Sequence, residues 1–265
     1  MMHSCLPRGS HWSKHLDADL AFAFTLADAA DAITLARFRA LDLRVDTKPD
    51  LTPVSDADRA AEEAFRDRVA SSGRGESVHG EEFGDDGGDS KWIVDPIDGT
   101  MSYVRGVPVW ATLLALQREG EVVLGLVSAP ALARRWWAVR GGGSFADGRT
   151  SRVSTIARIE DAVVSSTTQR DMPGGWTELV ARSWSDRGYG DFWQYCLVAE
   201  GVVDVACDPI VRVWDYAGVQ LVVEEAGGAC TTFAGTPPED GGTFAATNGA
   251  LHADVLALLG SPPAV

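Results

Sequence analysis

Two aspartates separated by only two residues make the stretch from Trp92 to Thr100 the first candidate for chemistry. Apolar residues lead directly into Asp95, as they do where a buried strand ends at a site. Pro96 cannot donate to a sheet ladder, so we expect the strand to stop there and a tight turn to aim Asp95 and Asp98 at one point. Two hard oxygen ligands predict Mg²⁺. The alternative is a turn at a strand end, with aspartate only as a capping residue.

Gly99 and Thr100 follow these aspartates and open a predicted helix. Backbone N–H groups at a helix start lack partners and attract anions, so this turn is a candidate phosphate site. The formal net charge of −15 would repel a phosphorylated metabolite unless bound cations reverse the sign locally. The same charge argues against nucleic acid and anionic membranes as partners.

Three further acids stand where elements begin or end. Glu81 lies at a predicted short strand end, Asp56 begins a predicted helix that runs to Ala70, and Asp215 lies between Trp214 and Tyr216 at another helix start. An acid at a helix start also serves simply as a cap, and this alternative stays open for Asp56 and Asp215. Together with Asp95 and Asp98, these acids form a hard-oxygen donor set that suits Mg²⁺ or Mn²⁺.

The elements that must position these acids change in character along the chain. Helical periodicity predicts a long amphipathic helix over residues 17–40, and short alternation predicts a strand over Leu41–Val45. A hairpin over residues 110–129 and a further strand over residues 134–139 follow the central motif. Beyond residue 152, helices and strands alternate, which predicts a layered sheet covered by helices. The segments predicted there are a helix over Gly175–Arg187 with Trp184 inward, a helix over Phe192–Glu200, a strand over Val202–Cys207 and a helix over Trp214–Glu225.

The 265 residues divide into three predicted parts. Residues 1–15 hold three of the five histidines and have the character of an expression tag or a disordered terminus. Residues 16–150 form a half that carries most candidate metal ligands, and residues 151–265 form a half that carries the last ligand and the specificity residues. No apolar run is long enough to span a bilayer. The cysteines lack metal-ligand spacing and are expected to stay reduced in the cytoplasm; they are Cys5, Cys196, Cys207 and Cys230.

From its first helix onward, the chain resembles the lithium-sensitive, magnesium-dependent inositol monophosphatase superfamily. The order and spacing of several motifs carry the resemblance, and any one alone would be a weak signal. The resemblance implies an α/β fold in which helix and sheet layers alternate as an αβαβα sandwich, and a homodimer. The motifs are Gly80-Glu81-Glu82, Asp95-Pro96-Ile97-Asp98-Gly99-Thr100, and Trp214-Asp215, followed ten residues later by Glu225-Ala226-Gly227-Gly228.

The resemblance also implies a two-metal phosphatase without a phosphoenzyme. It places a first metal on Glu81, Asp95 and the Ile97 carbonyl, and a second on Asp95, Asp98 and Asp215. Two or three Mg²⁺ ions per site are expected, and Mn²⁺ is an alternative. Glu81 and Thr100 would activate the attacking water, Asp56 would support the site from behind, and Gly99 and Thr100 would receive the phosphate.

The second half resembles the branch of this superfamily that dephosphorylates histidinol phosphate, in its actinobacterial form. The stretch from Tyr189 to Gly201 carries most of that resemblance, with support from residues 46–54 and 105–110. Histidinol phosphate carries an ammonium and an imidazole, so its site needs acids where an inositol site needs hydroxyl-binding groups. The expected substrate-binding residues are Gly99, Thr100, Gly190, Asp191, Asp208 and Asp215. A role as a helix cap is the alternative for Asp191.

Met101-Ser102 departs from the usual family residues after the Gly-Thr pair and leaves the substrate open. Inositol-1-phosphate or another small phosphate ester is the nearest alternative substrate. A non-catalytic phosphate-binding regulator is the alternative from another class. Such a regulator would normally have lost one of the ligands, and none of them is missing here.

Overall fold

The computed structural model describes residues 13–49 and 51–260. Residues 1–12 of the predicted tag, which include Cys5, lie outside the described residues. Within the described residues, no helix is both long and apolar enough to cross a membrane. The helices are α1 (Ser13–Arg37), α2 (Asp56–Ser71), α3 (Thr100–Val104), α4 (Gly174–Arg182), α5 (Asp191–Ala199), α6 (Val213–Glu225) and α7 (His252–Leu259).

The strands form a small hairpin and two sheets. The first sheet has the order β10-β9-β8-β7-β6-β5-β3-β4 and the second the order β12-β11-β13-β15-β14. The first sheet is antiparallel apart from the β3–β5 pair, whereas β11 pairs in parallel with both β12 and β13. The strands are β1 (Val45–Thr47), β2 (Pro53–Ser55), β3 (Ser77–Gly80), β4 (Gly84–Asp85), β5 (Ser90–Asp98), β6 (Ala111–Arg118), β7 (Glu121–Ala129), β8 (Arg134–Val139), β9 (Gly143–Ala146), β10 (Arg149–Thr150), β11 (Val163–Ser165), β12 (Ser185–Arg187), β13 (Val205–Asp208), β14 (Ala229–Thr231) and β15 (Phe244–Thr247).

Helix and sheet layers alternate through the molecule. Helices α1 and α2 cover one face of the first sheet, and α6 packs across its other face beside α5. The second sheet lies on this middle helix layer, and α4 and α7 cover its outer side. Buried apolar side chains fill each boundary between layers. This arrangement confirms the predicted αβαβα sandwich. The first sheet ends before residue 151 and the second begins after it, although a division into two domains at this point stays a prediction.

Glycines let α6 lie directly on the first sheet. A Cβ on Gly218 of α6 would lie 2.7 Å from the Leu114 carbonyl oxygen of β6, and one on Gly125 of β7 would lie 2.3 Å from the Gly218 carbonyl oxygen. Real Cβ atoms do not approach backbone oxygens so closely, so both positions require glycine. The close contact fixes the height of α6 above the sheet and therefore the position of Asp215 in its first turn.

Several predicted elements differ from the structure in their extent. The strand expected over Leu41–Val45 forms only from Val45, where β1 pairs with β2. The helix expected to reach Arg187 ends at Arg182, and Trp184, predicted to face inward, is 72% exposed because the chain leaves the helix for β12. The strand expected from Val202 begins at Val205. The helices predicted around α2, α5 and α6 are confirmed to within two residues.

Candidate active site

A β-bulge in β5 brings Asp95 and Asp98 together. In a regular strand, residues three apart point to opposite faces of the sheet. Here Asp95 pairs with Leu113 and Asp98 with Ala111, so two residues of β5 lie opposite one residue of β6. The extra residue restores a common direction for the two aspartates. The strand therefore does not stop at Pro96 as predicted.

Two side-chain hydrogen bonds stabilise the bulge. The Asp95 carboxylate accepts from the Ile97 N–H at 2.9 Å, and the Thr112 hydroxyl donates to the Pro96 carbonyl at 2.8 Å. Pro96 has no N–H, so it loses no ladder bond at a position where the ladder is already interrupted. Pro96 is visible in the sequence, but here it indicates a bulge and not the end of the strand.

Helix α6 adds a third carboxylate from the other half of the chain. Oxygens of Asp95, Asp98 and Asp215 all lie within 4.8 Å of one another. Asp215 also caps its own helix, since its Oδ2 accepts from the Arg212 N–H at 2.7 Å. The capping and cluster roles that the sequence left as alternatives are therefore compatible.

The cluster concentrates negative charge away from solvent. Burial, followed by the charges of Glu81, Asp98 and Asp215, raises the pKa of Asp95 well above its ordinary value. Burial and the charge of Asp191 do the same to the pKa of Asp98. Burial raises the pKa of Asp215 to about 7, although its hydrogen bond to the Arg212 N–H opposes the shift. Such a cluster favours either protons or bound cations.

Glu81 is held beside this cluster by a turn that depends on Glu62. The fully buried Glu62 carboxylate accepts from the N–H groups of Glu82 at 2.8 Å and Phe83 at 3.2 Å. A Cβ on Gly80 would lie 2.0 Å from the Glu62 carboxylate, so any larger residue there would displace this carboxylate from its hydrogen bonds to the turn. Sequence reasoning missed Glu62, although it lies in the buried stripe of α2 at helical spacing from Asp58 and Phe65.

Lys48 is a second residue that sequence reasoning missed. Its Nζ lies 2.7 Å from a Glu81 oxygen and 2.6 Å from a Glu82 oxygen. Burial opposes its charge, but the hydrogen bonds to the two glutamates raise the pKa of Lys48 overall. Lys48 is therefore a fixed positive charge at the edge of the acidic cluster. No feature of the loop sequence indicates this partner.

Asp58, and not Asp56, is the buried aspartate at the start of α2, and the supporting role expected of Asp56 stays a prediction. The Asp56 carboxylate is partly exposed and pairs with Arg37 at 2.8 Å. Asp58 is 1% exposed and accepts from both the N–H and the hydroxyl of Ser55. Burial, opposed by the Ser55 bonds and reinforced by the charges of Glu82 and Glu81, raises the pKa of Asp58 to about 7. The capping-box spacing Ser55-x-x-Asp58 is the signal that would have identified it.

Thr100 and Gly99 form the turn that follows the bulge. The Thr100 hydroxyl donates to the Ile97 carbonyl at 2.9 Å, and this oxygen retains a second lone pair. Gly99 has φ 81° and precedes α3. Both predicted phosphate contacts therefore lie directly beside the three-carboxylate cluster.

The start of α5 closes the other side of this turn. The Phe192 N–H donates to Asp98 at 2.6 Å, and Asp191 Oδ2 lies 3.2 Å from where a Cβ on Gly99 would be. Gly190, and not Asp191, is the N-cap residue of α5. Burial raises its pKa to about 6. The predicted substrate acid thus faces the predicted phosphate turn, and Gly190 precedes it as the helix boundary.

Asp208 does not present a free carboxylate to a substrate. It is 5% exposed and accepts from the Thr167 N–H at 3.0 Å, the Thr167 hydroxyl at 2.9 Å and Gln194 Nε2 at 2.6 Å, as well as from the Tyr195 hydroxyl. One of these donors binds Oδ1 and three bind Oδ2. Asp208 was expected to contact the substrate directly, whereas in the structure its buried carboxylate binds groups of the protein itself.

Comparison with known proteins identifies the group to which this arrangement belongs. Residues 15–261 match the Inositol monophosphatase family. The chain belongs to this family. It is 51% identical to a histidinol-phosphatase of Mycobacterium tuberculosis over 91% of this chain and 97% of that protein. It is 49% identical to a histidinol-phosphatase of Streptomyces coelicolor over 91% of this chain and 96% of that protein.

A solved structure agrees with the fold as well as with the family. The inositol monophosphatase of Thermotoga maritima superposes with a TM-score of 0.86 at 31% identity, covering 92% of this chain and 97% of that one. The layered architecture described above is thus the inositol monophosphatase fold, and the chain is a phosphatase.

The family is metal-dependent, and the residues present here fit a divalent metal. The donor set is made of carboxylates, which suits a hard cation such as Mg²⁺. Within the described part of the chain, no lysine, arginine or histidine pairs with any of the three clustered aspartates. Their mutual repulsion is therefore left for a bound cation to neutralise. The individual ligand assignments, including Glu81 and the Ile97 carbonyl, stay predictions.

Proposed function

We propose that this chain hydrolyses L-histidinol phosphate to L-histidinol and phosphate, a step of histidine biosynthesis. The observation that carries the proposal is the position of Asp191, whose carboxylate lies against Gly99 at the turn that would hold the phosphate. In histidinol phosphate, the ammonium is on the carbon next to the one that bears the phosphate ester. A carboxylate beside the phosphate turn suits this ammonium, and two relatives named histidinol-phosphatase support the same substrate.

The proposed reaction is the direct attack of water on phosphorus. Because the Thr100 hydroxyl donates to the Ile97 carbonyl, its oxygen is available to accept a hydrogen bond from water. A water that donates to both Thr100 and Glu81 keeps a lone pair free for the phosphorus, and Glu81 takes its proton as the new bond forms. The ester P–O bond then breaks, and the leaving alkoxide takes a proton from solvent.

Glu81, Asp95, Asp98, Asp215 and the Ile97 carbonyl are the groups that would hold Mg²⁺. Bound Mg²⁺ neutralises phosphate oxygens and lowers the pKa of a coordinated water. The N–H groups of Gly99 and Thr100 would hold the phosphate, and Asp191 would orient the substrate by binding its ammonium. Asp58 and Glu62 would support the site from below through Ser55 and the Glu81–Glu82 turn.

Phosphate release from histidinol phosphate and from inositol-1-phosphate, measured side by side, tests the proposal. We expect a strong preference for histidinol phosphate with Mg²⁺ and no release with EDTA. Asp191→Asn should raise the KM for histidinol phosphate by roughly tenfold or more and that for inositol-1-phosphate by much less, because only the former loses an ion pair. Comparable rates for the two esters would indicate a broad-specificity phosphatase, and binding of phosphate without turnover would indicate a regulator.

A homodimer and a cytoplasmic location belong to the same proposal. Met101 and Val107, in and just after α3, expose apolar surface that a second copy of the chain would cover. The buried, unpaired Cys196, Cys207 and Cys230 suit a reducing compartment. Light scattering of the purified protein tests the dimer.

A further inference from the structure

Two consecutive residues at the start of α5, its N-cap Gly190 and its first residue Asp191, have backbone conformations that need support. Gly190 has φ 69° and ψ 172°, a region open essentially to glycine alone. Asp191 has φ 47°, which costs a residue with a side chain about 1–2 kcal/mol. This strained turn decides where the Asp191 carboxylate lies relative to Gly99. The surrounding contacts must therefore hold it in place.

The hydroxyl of Thr167 holds this turn from the neighbouring loop. The Asp191 N–H donates to Thr167 Oγ1 at 2.8 Å, and Thr167 Oγ1 lies 2.9 Å from Asp208 Oδ2. An N–H only donates, so the hydroxyl must direct its own proton towards Asp208. A hydrogen bond to a carboxylate is stronger than one between neutral groups, and it polarises the next bond in the chain. Asp208 thus strengthens the hydrogen bond between the Asp191 N–H and the Thr167 hydroxyl.

Asp208 provides a rigid base for this chain of hydrogen bonds. It is nearly fully buried, and Gln194 and Tyr195, both in α5, donate to it. Helix α5 is therefore bound to Asp208 directly and, through Thr167, at its strained first residue. Gly190 permits the contact, because a Cβ there would lie 3.3 Å from the Thr167 Cα.

We propose that Thr167 and Asp208 are positioning residues that hold Asp191 against Gly99 and thereby set the preference for a phosphate ester that carries a neighbouring cation. The preference rests on the proposed function, whereas the hold on Asp191 does not. The same turn presents the Phe192 N–H to Asp98. The Asp191 carboxylate and the Phe192 N–H therefore both depend on the pair Thr167 and Asp208, here called the brace. Neither Thr167 nor Asp208 needs to touch the substrate.

Thr167→Val tests the brace, since it removes the hydroxyl and keeps the side-chain shape. Its KM for histidinol phosphate should rise about five- to tenfold, at least several times more than its KM for inositol-1-phosphate, with a smaller change in kcat. Thr167→Ser, which keeps the hydroxyl, should restore the preference. Thr168→Val is the matched control, because the neighbouring Thr168 hydroxyl accepts from the Arg170 N–H and not from Asp191.

Hydrogen exchange tests the hold on Asp191 without any substrate. In Thr167→Val the Asp191 amide should exchange about tenfold faster, and in Thr167→Ser and Thr168→Val it should exchange as in the wild type. Unchanged exchange in Thr167→Val would overturn the brace. Exchange that rises while both esters lose equally in KM would overturn its role in specificity.

A double-mutant cycle separates the brace from a general loss of structure. Thr167→Val in an Asp191→Asn background should add no further loss of histidinol phosphate preference, because both changes act through one carboxylate. Additive losses would contradict the proposal. A wild-type enzyme with no preference for histidinol phosphate would refute the proposed function and the specificity role together, and the exchange result would still decide whether Thr167 holds Asp191.

Discussion

At the scale of single residues, two aspartates two positions apart on α2 have opposite environments. Asp58 is buried with a pKa of about 7, whereas Asp56 pairs with Arg37 near the surface. A carboxyl group whose pKa is higher in the folded than in the unfolded chain binds a proton on folding at any pH between these two pKa values. Asp58 therefore stabilises the fold fully below pH 4, and this contribution is lost as the pH rises through about 7.

This difference predicts how Asp58→Asn changes the dependence of stability on pH. In EDTA, the wild type should lose the Asp58 contribution between pH 5 and pH 7, and Asp58→Asn should flatten this slope by about 1–3 kcal/mol over the range. Urea unfolding at several pH values measures it. Asp56→Asn is the matched control, because it removes the neighbouring, partly exposed acid that pairs with Arg37 and leaves the buried carboxyl group in place. An equal slope in wild type and Asp58→Asn would mean that Asp58 is ionised throughout.

Sequence alone was sufficient for the residues whose type and spacing carry the chemistry. Asp95, Asp98 and Asp215 do converge, and Asp191 does lie beside Gly99. Sequence alone did not show whether Asp56 or Asp58 is the buried aspartate of α2, because the rotation of α2 against the sheet decides which of them is buried. It also failed for Asp208, since the donors that occupy its oxygens come from two segments distant in sequence.

At the scale of elements, the position of α6 depends on Gly218. Alanine normally stabilises a helix by about 1 kcal/mol relative to glycine, but here its Cβ would lie 2.7 Å from the Leu114 carbonyl oxygen. Neither backbone can yield without separating α6 from the sheet. Gly218→Ala should therefore lower the free energy of unfolding by about 1–3 kcal/mol. It should also weaken Mg²⁺ binding, because Asp215 moves with the helix.

Thermal unfolding and calorimetric Mg²⁺ titration measure the two effects. Gly188→Ala is the control, since the nearest atom to its Cβ would be 4.0 Å away and its backbone is not left-handed. A Gly218→Ala protein more stable than the wild type would show that helix propensity outweighs the clash, and that the spacing of α6 is not tightly fixed.

The elements themselves were predictable where periodicity was long and unlike its surroundings. Helices α2, α5 and α6 and strand β8 were located to within two residues. The errors fell where local signals are ambiguous. Pro96 marks either a strand end or a bulge, and Trp184 continues the apolar spacing of α4 although the chain has already turned into β12. Only the pairing partner of each strand decides such cases, and pairing is a long-range property.

At the scale of the whole molecule, a chain with a net charge of −15 concentrates part of its charge in one buried cluster. Without a cation, burial and mutual repulsion raise the pKa values of Asp95, Asp98 and Asp215, so these groups stabilise the fold only while they are protonated. For Asp215, whose pKa is raised to about 7, this contribution is lost as the pH rises through about 7. A cation that binds the folded chain reverses this loss by mass action.

Saturating Mg²⁺ at pH 8 should therefore raise the melting temperature by about 5–10 °C over that in EDTA. Asp215→Asn should melt higher than the wild type in EDTA, because one repulsive charge is gone, and should gain much less from Mg²⁺. Asp186→Asn, which removes an exposed acid of β12, should behave as the wild type in both conditions. If Asp215→Asn kept the full gain from Mg²⁺, the stabilising cation would bind outside the three-carboxylate cluster, and the joining of the two halves of the chain through a shared metal would be refuted.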